Sequence, residues 1–238
     1  MLTEVIYPGV FGIEHILYLC CFIGLLIGEV FLIRKLKENQ RTVLIRILAG
    51  LHLCFILINR ISVTYSDVVI QAREGYTWLN LIPNTYCGWM SLLLPIVVFV
   101  GKKDNVMLHF IAYLAFFGGV ITMIYPDFLD SQSFWDIRSI TGLLHHSLMV
   151  YGVVALVMCN WMRPTLKRWY VYPLGYACLM TVGLFEETAL GFTKSIYAPL
   201  IGSMEILTSW YMMYGVTTLL AVLTMYIFDK KSLCKSNC

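Results

Sequence analysis

The sequence has little charge. Lys, Arg, Asp and Glu together make up 13% of its 238 residues, about half the share carried by soluble domains. A soluble globular domain is therefore a poor description of this chain. No inter-block stretch is long enough to fold alone, and neither a repeat nor a low-complexity tract is present. One membrane domain covering residues 1–238 is the expectation. The eight cysteines include no CxxC pair, which argues against a disulfide framework. HxxxH and HxxEH spacings are absent as well, so the five histidines do not form a familiar metal motif. The first apolar block lacks a basic n-region and a small-residue cleavage site and is too long for a signal peptide. The terminal Ser236-Asn237-Cys238 is not a prenylation box.

What the chain does have is apolar sequence, with 59% of its residues hydrophobic. These fall into blocks of about 20 residues, the length at which a helix rising 1.5 Å per residue crosses a hydrocarbon core of about 30 Å. In lipid such blocks must be helices, because nothing else satisfies their backbone groups. The blocks predict an all-α, polytopic transmembrane bundle of about seven helices, over roughly 11–33, 43–63, 79–100, 106–125, 139–161, 170–190 and 204–228. Pro83 and Pro95 interrupt the third, which reads as a kinked span or a re-entrant pair.

Basic residues give an orientation. Arg34, Lys35, Lys37, Arg41, Arg46, Lys102, Lys103, Arg163, Lys167, Arg168, Lys230, Lys231 and Lys235 belong to alternate connections and the tail, and hold 13 of the 17 basic residues. Arg60, Arg73, Arg138 and Lys194 belong to the others. The split predicts an outside N-terminus and a cytoplasmic C-terminus. Trp161 and Trp169 at the inner edge, and Trp78 and Trp135 at the outer, fit interfacial belts. The net charge of +3 then reflects topology, and nucleic acid is not an expected partner.

Topology assigns depths. Glu14 and His15 in the first helix, Asn84 and Cys87 in the third, His145 and His146 in the fifth, Glu186 and Glu187 in the sixth and Glu205 in the seventh all fall near the outer face. Intramembrane ionisable groups are costly and mark candidate sites. The inner half holds fewer: Glu29, His109 and, near mid-depth, His52. A polar cavity facing the outer leaflet follows. Residents of adjacent helix positions point about 100° apart, so His145 and His146 are expected to divide roles. Arg138, Thr141 and His145 share a face, which suits a phosphate or carboxylate held at headgroup level. Cys87 follows the polar turn Pro83-Asn84-Thr85-Tyr86. At the depth of His145 it meets the minimum for an activated thiolate.

Four features carry a resemblance to a known family: Phe11-Gly12-Ile13-Glu14-His15, the Pro83-x-x-x-Cys87 segment, Tyr125-Pro126-Asp127, and Arg138 followed by Leu144-His145-His146-Ser147. In their order, and in the spacing of Cys87 from His145, the chain resembles the YwaF-like integral membrane proteins. These are related to a human ether-phospholipid acyltransferase and, remotely, to androgen-dependent membrane hydrolases. The resemblance implies acyl transfer without coenzyme A or another cofactor, with Cys87 as nucleophile and His145 as base. The chain departs from the family pattern before the cysteine, where Ile82-Pro83-Asn84-Thr85-Tyr86 lacks the usual histidine.

The expected partner is a membrane phospholipid or lysophospholipid, and the expected setting a bacterial plasma membrane. Asn84 or a nearby backbone N–H would steady the oxyanion, Arg138 would hold the phosphate, and His146, Glu14, His15 or Glu187 would orient the base. A transporter or small-solute-binding module using Glu186, Glu187 and Glu205 is the alternative. A two- or three-histidine metal site with His15 and His145 or His146 is a third.

Overall fold

The structure, a computed structural model, describes residues 9–130, 132–191 and 206–236, with side chains of the last helix from 214 to 230. Glu205 and Lys194 lie outside the described residues. Those described form seven α-helices and no strand: α1 Ile13–Lys35, α2 Glu38–Tyr65, α3 Tyr86–Val100, α4 Val106–Ile124, α5 Ile137–Met158, α6 Val171–Leu190 and α7 Ile206–Ser236. Among the described residues four helical stretches, Ile13–Lys35, Glu38–Ile70, Val106–Asp130 and Ile137–Met158, are long and apolar enough to cross a membrane. The chain is a helical membrane bundle.

Local chemistry sets the helix ends. Thr85, Asn105 and Asp136 each accept a backbone N–H of the first turn of α3, α4 and α5, satisfying donors that have no helical partner. Gly191 closes α6 at φ +69°, the left-handed position glycine takes without strain.

The third helix differs from its sequence-based bounds. It starts at Tyr86, not near Leu79, and runs 15 residues, about 22 Å at 1.5 Å per residue. Pro83 disfavours helical backbone in the residue before it, and Trp78–Leu81 forms a separate 3-10 turn capped by Thr77. The Arg60 guanidinium, on α2, donates to the carbonyls of Asn80, Leu81 and Ile82. Those carbonyls would otherwise lack partners where the helix is missing. Pro95 lies inside α3 and brings no N–H to the carbonyl four residues back, that of Ser91.

The core sits between α2, α3, α4 and α5, with α5 packed on α1 through α4, and α6 and α7 closing the far side of α4. Two adjacent glycines let α4 touch both neighbours. A Cβ at Gly118 would meet Cys87 Sγ of α3 at 3.0 Å, and one at Gly119 would meet the His146 carbonyl oxygen of α5 at 2.9 Å. By contrast α1 buries only His15, Phe22 and Ile33 and presents Ile16, Leu17, Ile23 and Leu25 outward, as a lipid-facing helix does.

Asp104 ties one end of the bundle together. Its backbone N–H donates to Trp161 O at 2.7 Å, and its carboxylate accepts from the Arg163 N–H at 2.9 Å. His109 Nε2 and Arg168 Nη2 lie 2.8 and 3.0 Å from the same carboxylate. Burial works to raise its pKa, but those donors outweigh it and hold the group below the usual carboxylate range. Lys103 Nζ reaches Glu38 Oε1 at 3.9 Å, so the α1–α2 and α3–α4 connections share this end.

Candidate functional site

The interior of α2, α3 and α5 holds a chain of polar side chains. His52 sits mid-way along α2, Ser91 five residues into α3 and His145 eight residues into α5. His52 Nε2 is 2.6 Å from Ser91 Oγ, and Ser91 Oγ is 3.0 Å from His145 Nδ1. All three are buried, at 2%, 0% and 4% exposure. Unsatisfied polar groups at this depth would cost several kcal/mol, and here each ring finds a partner in one serine hydroxyl. Each is exchanging water for a partner on another helix, so the chain also fixes the mutual register of α2, α3 and α5.

His146 belongs to the same cluster. Its ring centroid is 4.1 Å from that of His145 despite the divergence of adjacent helix positions. Its Nδ1 lies 2.7 Å from the Gly142 carbonyl, which only accepts, so Nδ1 carries the proton and Nε2 the lone pair.

Cys87 is the second residue of α3, where backbone N–H groups favour negative charge. Its Sγ lies 3.9 Å from Thr122 Oγ1 on α4. Thiol and hydroxyl face a cavity of about 110 Å³ walled by Tyr86, Leu114, Phe117, Ile121, Tyr176 and Thr217. The cavity is apolar apart from these few hydroxyl and thiol groups. His145 is not in its wall, and among the described residues no hydrogen bond joins Cys87 to His145. They are linked through α3: Ser91 follows Cys87 by four positions, a spacing that puts two side chains on one face with Cβ atoms about 5–6 Å apart.

The remaining candidates are placed as follows. Arg138 forks onto Asp136, with Nε and Nη2 donating at 2.9 and 2.7 Å, and its Nη1 donates to Ser66 Oγ at 2.8 Å. That ion pair holds the Asp136 carboxyl below its usual range. Asn84 lies just before α3, half-buried. His15 is buried at 1%. Its Nδ1 accepts the Phe11 N–H at 3.1 Å, so Nε2 carries the proton and donates to Met123 O at 2.9 Å. Both nitrogens of His15 are engaged away from His145 and His146, so the metal pairing drawn from sequence does not form. Among the described residues no group of three potential ligands converges. Glu14 lines a small recess with His15, Leu129 and Phe134.

In α6 the two glutamates separate. Glu187 is exposed, while Glu186 is 1% exposed and accepts the Trp89 Nε1–H at 2.9 Å. Its Oε2 is buried and has no hydrogen-bond partner among the described residues. Sequence reasoning named both and favoured Glu187, since spacing alone does not say which side of α6 faces α3.

Three residues of the site went unnamed as such in the sequence: His52, Ser91 and Thr122. His52 carried a signal, as an ionisable group near mid-depth. Ser91 and Thr122 carried none, because single hydroxyls in apolar helices usually bond their own backbone.

Fold and site together define a polytopic helical membrane protein with a buried histidine–serine cluster beside an apolar, cysteine-lined cavity. The TMEM164 family model matches residues 10–229, and the chain belongs to the TMEM164 family. No curated protein and no solved structure matches it.

Proposed function

We propose that the protein is a membrane-embedded lipid acyltransferase or acyl hydrolase in which Cys87 is the nucleophile and His145 the base. One observation carries the reading: the Cys87 thiol lines an apolar cavity at the start of α3, one turn from the serine that bonds His145. An apolar cavity suits a fatty acyl chain, and a thiol in its wall suits attack on that chain's ester. In the reaction Cys87 turns from Thr122, gives its proton to His145 and attacks the ester carbonyl. The C–O bond breaks, His145 returns the proton to the leaving alkoxide, and a lysolipid departs. An acceptor hydroxyl, or water, then attacks the thioester and releases Cys87 as a thiol. A backbone N–H at the start of α3 not already held by Thr85, or Asn84 just before it, would stabilise the developing oxyanion. Because Arg138 is already paired with Asp136 and Ser66, phosphate binding there requires a shared or exchanged contact. The 13-to-four distribution of basic residues supports an outside N-terminus, and with it a start of α3 at the outer leaflet; a bacterial plasma membrane is the proposed setting.

Purified protein in phospholipid nanodiscs containing an alkyne-tagged acyl donor tests this. A hydroxylamine-sensitive label on the wild type, absent from Cys87→Ala and slowed by about 10²–10⁴-fold in His145→Ala, is expected. Equal labelling of Cys87→Ala would falsify the assignment.

Glu186 favours a second reading. A buried carboxylate with one oxygen that has no partner among the described residues is also what a small-cation or solute-binding module presents. Proteoliposome uptake abolished by Glu186→Gln, with Cys87→Ala unaffected, distinguishes it.

A further inference from the structure

Ser91 has one hydroxyl proton and two imidazole neighbours. A neutral imidazole has one N–H and one lone pair. If Ser91 donates to one ring, the other ring donates to Ser91. His52 approaches through Nε2 and His145 through Nδ1, which makes the consequence specific. When Ser91 donates to His145 Nδ1, His52 donates from Nε2, and both rings carry their proton on Nε2. When Ser91 donates to His52 Nε2, His145 donates from Nδ1, and both rings carry it on Nδ1. The two tautomers match in either state.

Only the second state leaves the lone pair on His145 Nε2. From it the chain moves a proton in one direction. A proton arriving at His145 Nε2 lets the Nδ1 proton pass to Ser91 Oγ, and the Ser91 proton passes to His52 Nε2. His145 and Ser91 end neutral, His52 ends as the imidazolium, and the atoms and charge balance. Reversal returns the proton to Nε2 of His145.

We propose that Ser91 is a proton relay between His145 and His52, and that His52 is a positioning residue that sets the tautomer of His145 and takes its charge. The role in catalysis rests on the acyl-transfer reading above; the coupling of the two rings does not. Elsewhere around His145, the ionisable groups in electrostatic reach are His146 on α5 and Arg60 on α2. His146 is fixed by its Nδ1–H bond to Gly142, and the Arg60 guanidinium is engaged with the carbonyls before α3. Neither competes for Ser91. Within the described residues, burial of the whole chain keeps water from short-circuiting the relay.

Nitrogen-15 spectra of histidine-labelled protein in micelles, assigned with His52→Gln and His145→Gln, read the tautomers directly. The wild type is expected to show matched tautomers at His52 and His145. Ser91→Ala is expected to abolish the match, and Ser91→Thr, which keeps a hydroxyl, to restore it. Unlike tautomers in the wild type, meaning that both rings donate to Ser91, overturn the relay, as does a match that survives Ser91→Ala. In the trapping assay Ser91→Ala should slow Cys87 acylation by about tenfold or more, with Ser91→Thr near wild type. Matched tautomers together with no acylation of wild-type Cys87 would leave the relay standing and remove the acyl-transfer reading.

Discussion

Trp89 on α3 donates its indole N–H to Glu186 on α6 at 2.9 Å, a hydrogen bond across 97 positions of sequence. It joins the short, proline-bearing third helix to the far side of the bundle. Removing the acceptor leaves a part-buried donor without its partner, and a lost hydrogen bond of this kind costs about 1 kcal/mol, up to about 3 if water cannot replace it. Glu186→Ala is expected to lose about that much stability, and Glu186→Gln, which keeps a carbonyl acceptor, much less. Unfolding in mixed micelles measures both, and a Trp89→Phe/Glu186→Ala double mutant should cost less than the sum of its parts.

Gly118 and Gly119 test the approach of α4 to its neighbours. A methyl at Gly119 meets backbone at 2.9 Å, which cannot rotate away, so Gly119→Ala should cost about 1–3 kcal/mol. A methyl at Gly118 meets the Cys87 side chain, which can turn. Gly118→Ala should be milder in stability and stronger in its effect on Cys87 alkylation by a membrane-permeant maleimide. Gly215, with nothing within 4 Å of its added Cβ, is the control. Equal effects at positions 118 and 119 contradict the packing described.

His15 separates structure from chemistry. With one nitrogen on Phe11 N–H and the other on Met123 O, it joins the start of α1 to the end of α4. His15→Ala should lower stability by about 1–3 kcal/mol, yet leave the acylation rate of the folded fraction within about twofold, against the 10²–10⁴-fold expected for a base. A loss of rate without loss of stability would return His15 to the catalytic group.

Asp104 and Asp136 predict the acid limb of stability. Both carboxyls are held below the ordinary range in the folded protein. A carboxyl lowered by folding contributes stability above its unfolded pKa, and loses it as pH falls through the folded value. Stability should therefore be insensitive to these groups at neutral pH and fall below about pH 4. Asp104→Asn should flatten that fall while lowering the neutral-pH plateau. A melting temperature independent of pH down to about pH 2 would refute the linkage.

Much of the architecture was legible in the chain. Lipid forces helix on any long apolar block, and five of the seven expected spans, all but the third and the last, lie within five residues of the observed helix ends. The third did not, because its boundary depends on Pro83 and on a guanidinium from α2 that satisfies Asn80, Leu81 and Ile82. A local reading of hydropathy contains neither effect. Depth along a helix carried no information on which site residues are buried, as His145, His146 and Glu186 are. It could not separate Glu186 from Glu187, nor Arg138 as a headgroup ligand from Arg138 paired with Asp136.

By itself, then, the sequence determined that this is a helical membrane protein, because lipid leaves a long apolar block no backbone partners but its own, and helix rise assigned each polar residue an expected position along its helix. Azimuth was left to tertiary structure. The direction in which a side chain points from its helix has meaning only against a neighbour, and neighbours are set by packing. Packing placed Cys87 against Thr122 and Gly118 on α4, one turn from Ser91. It also closed His52 and His145 on a single serine hydroxyl, a relationship spread over three helices that no one helix records.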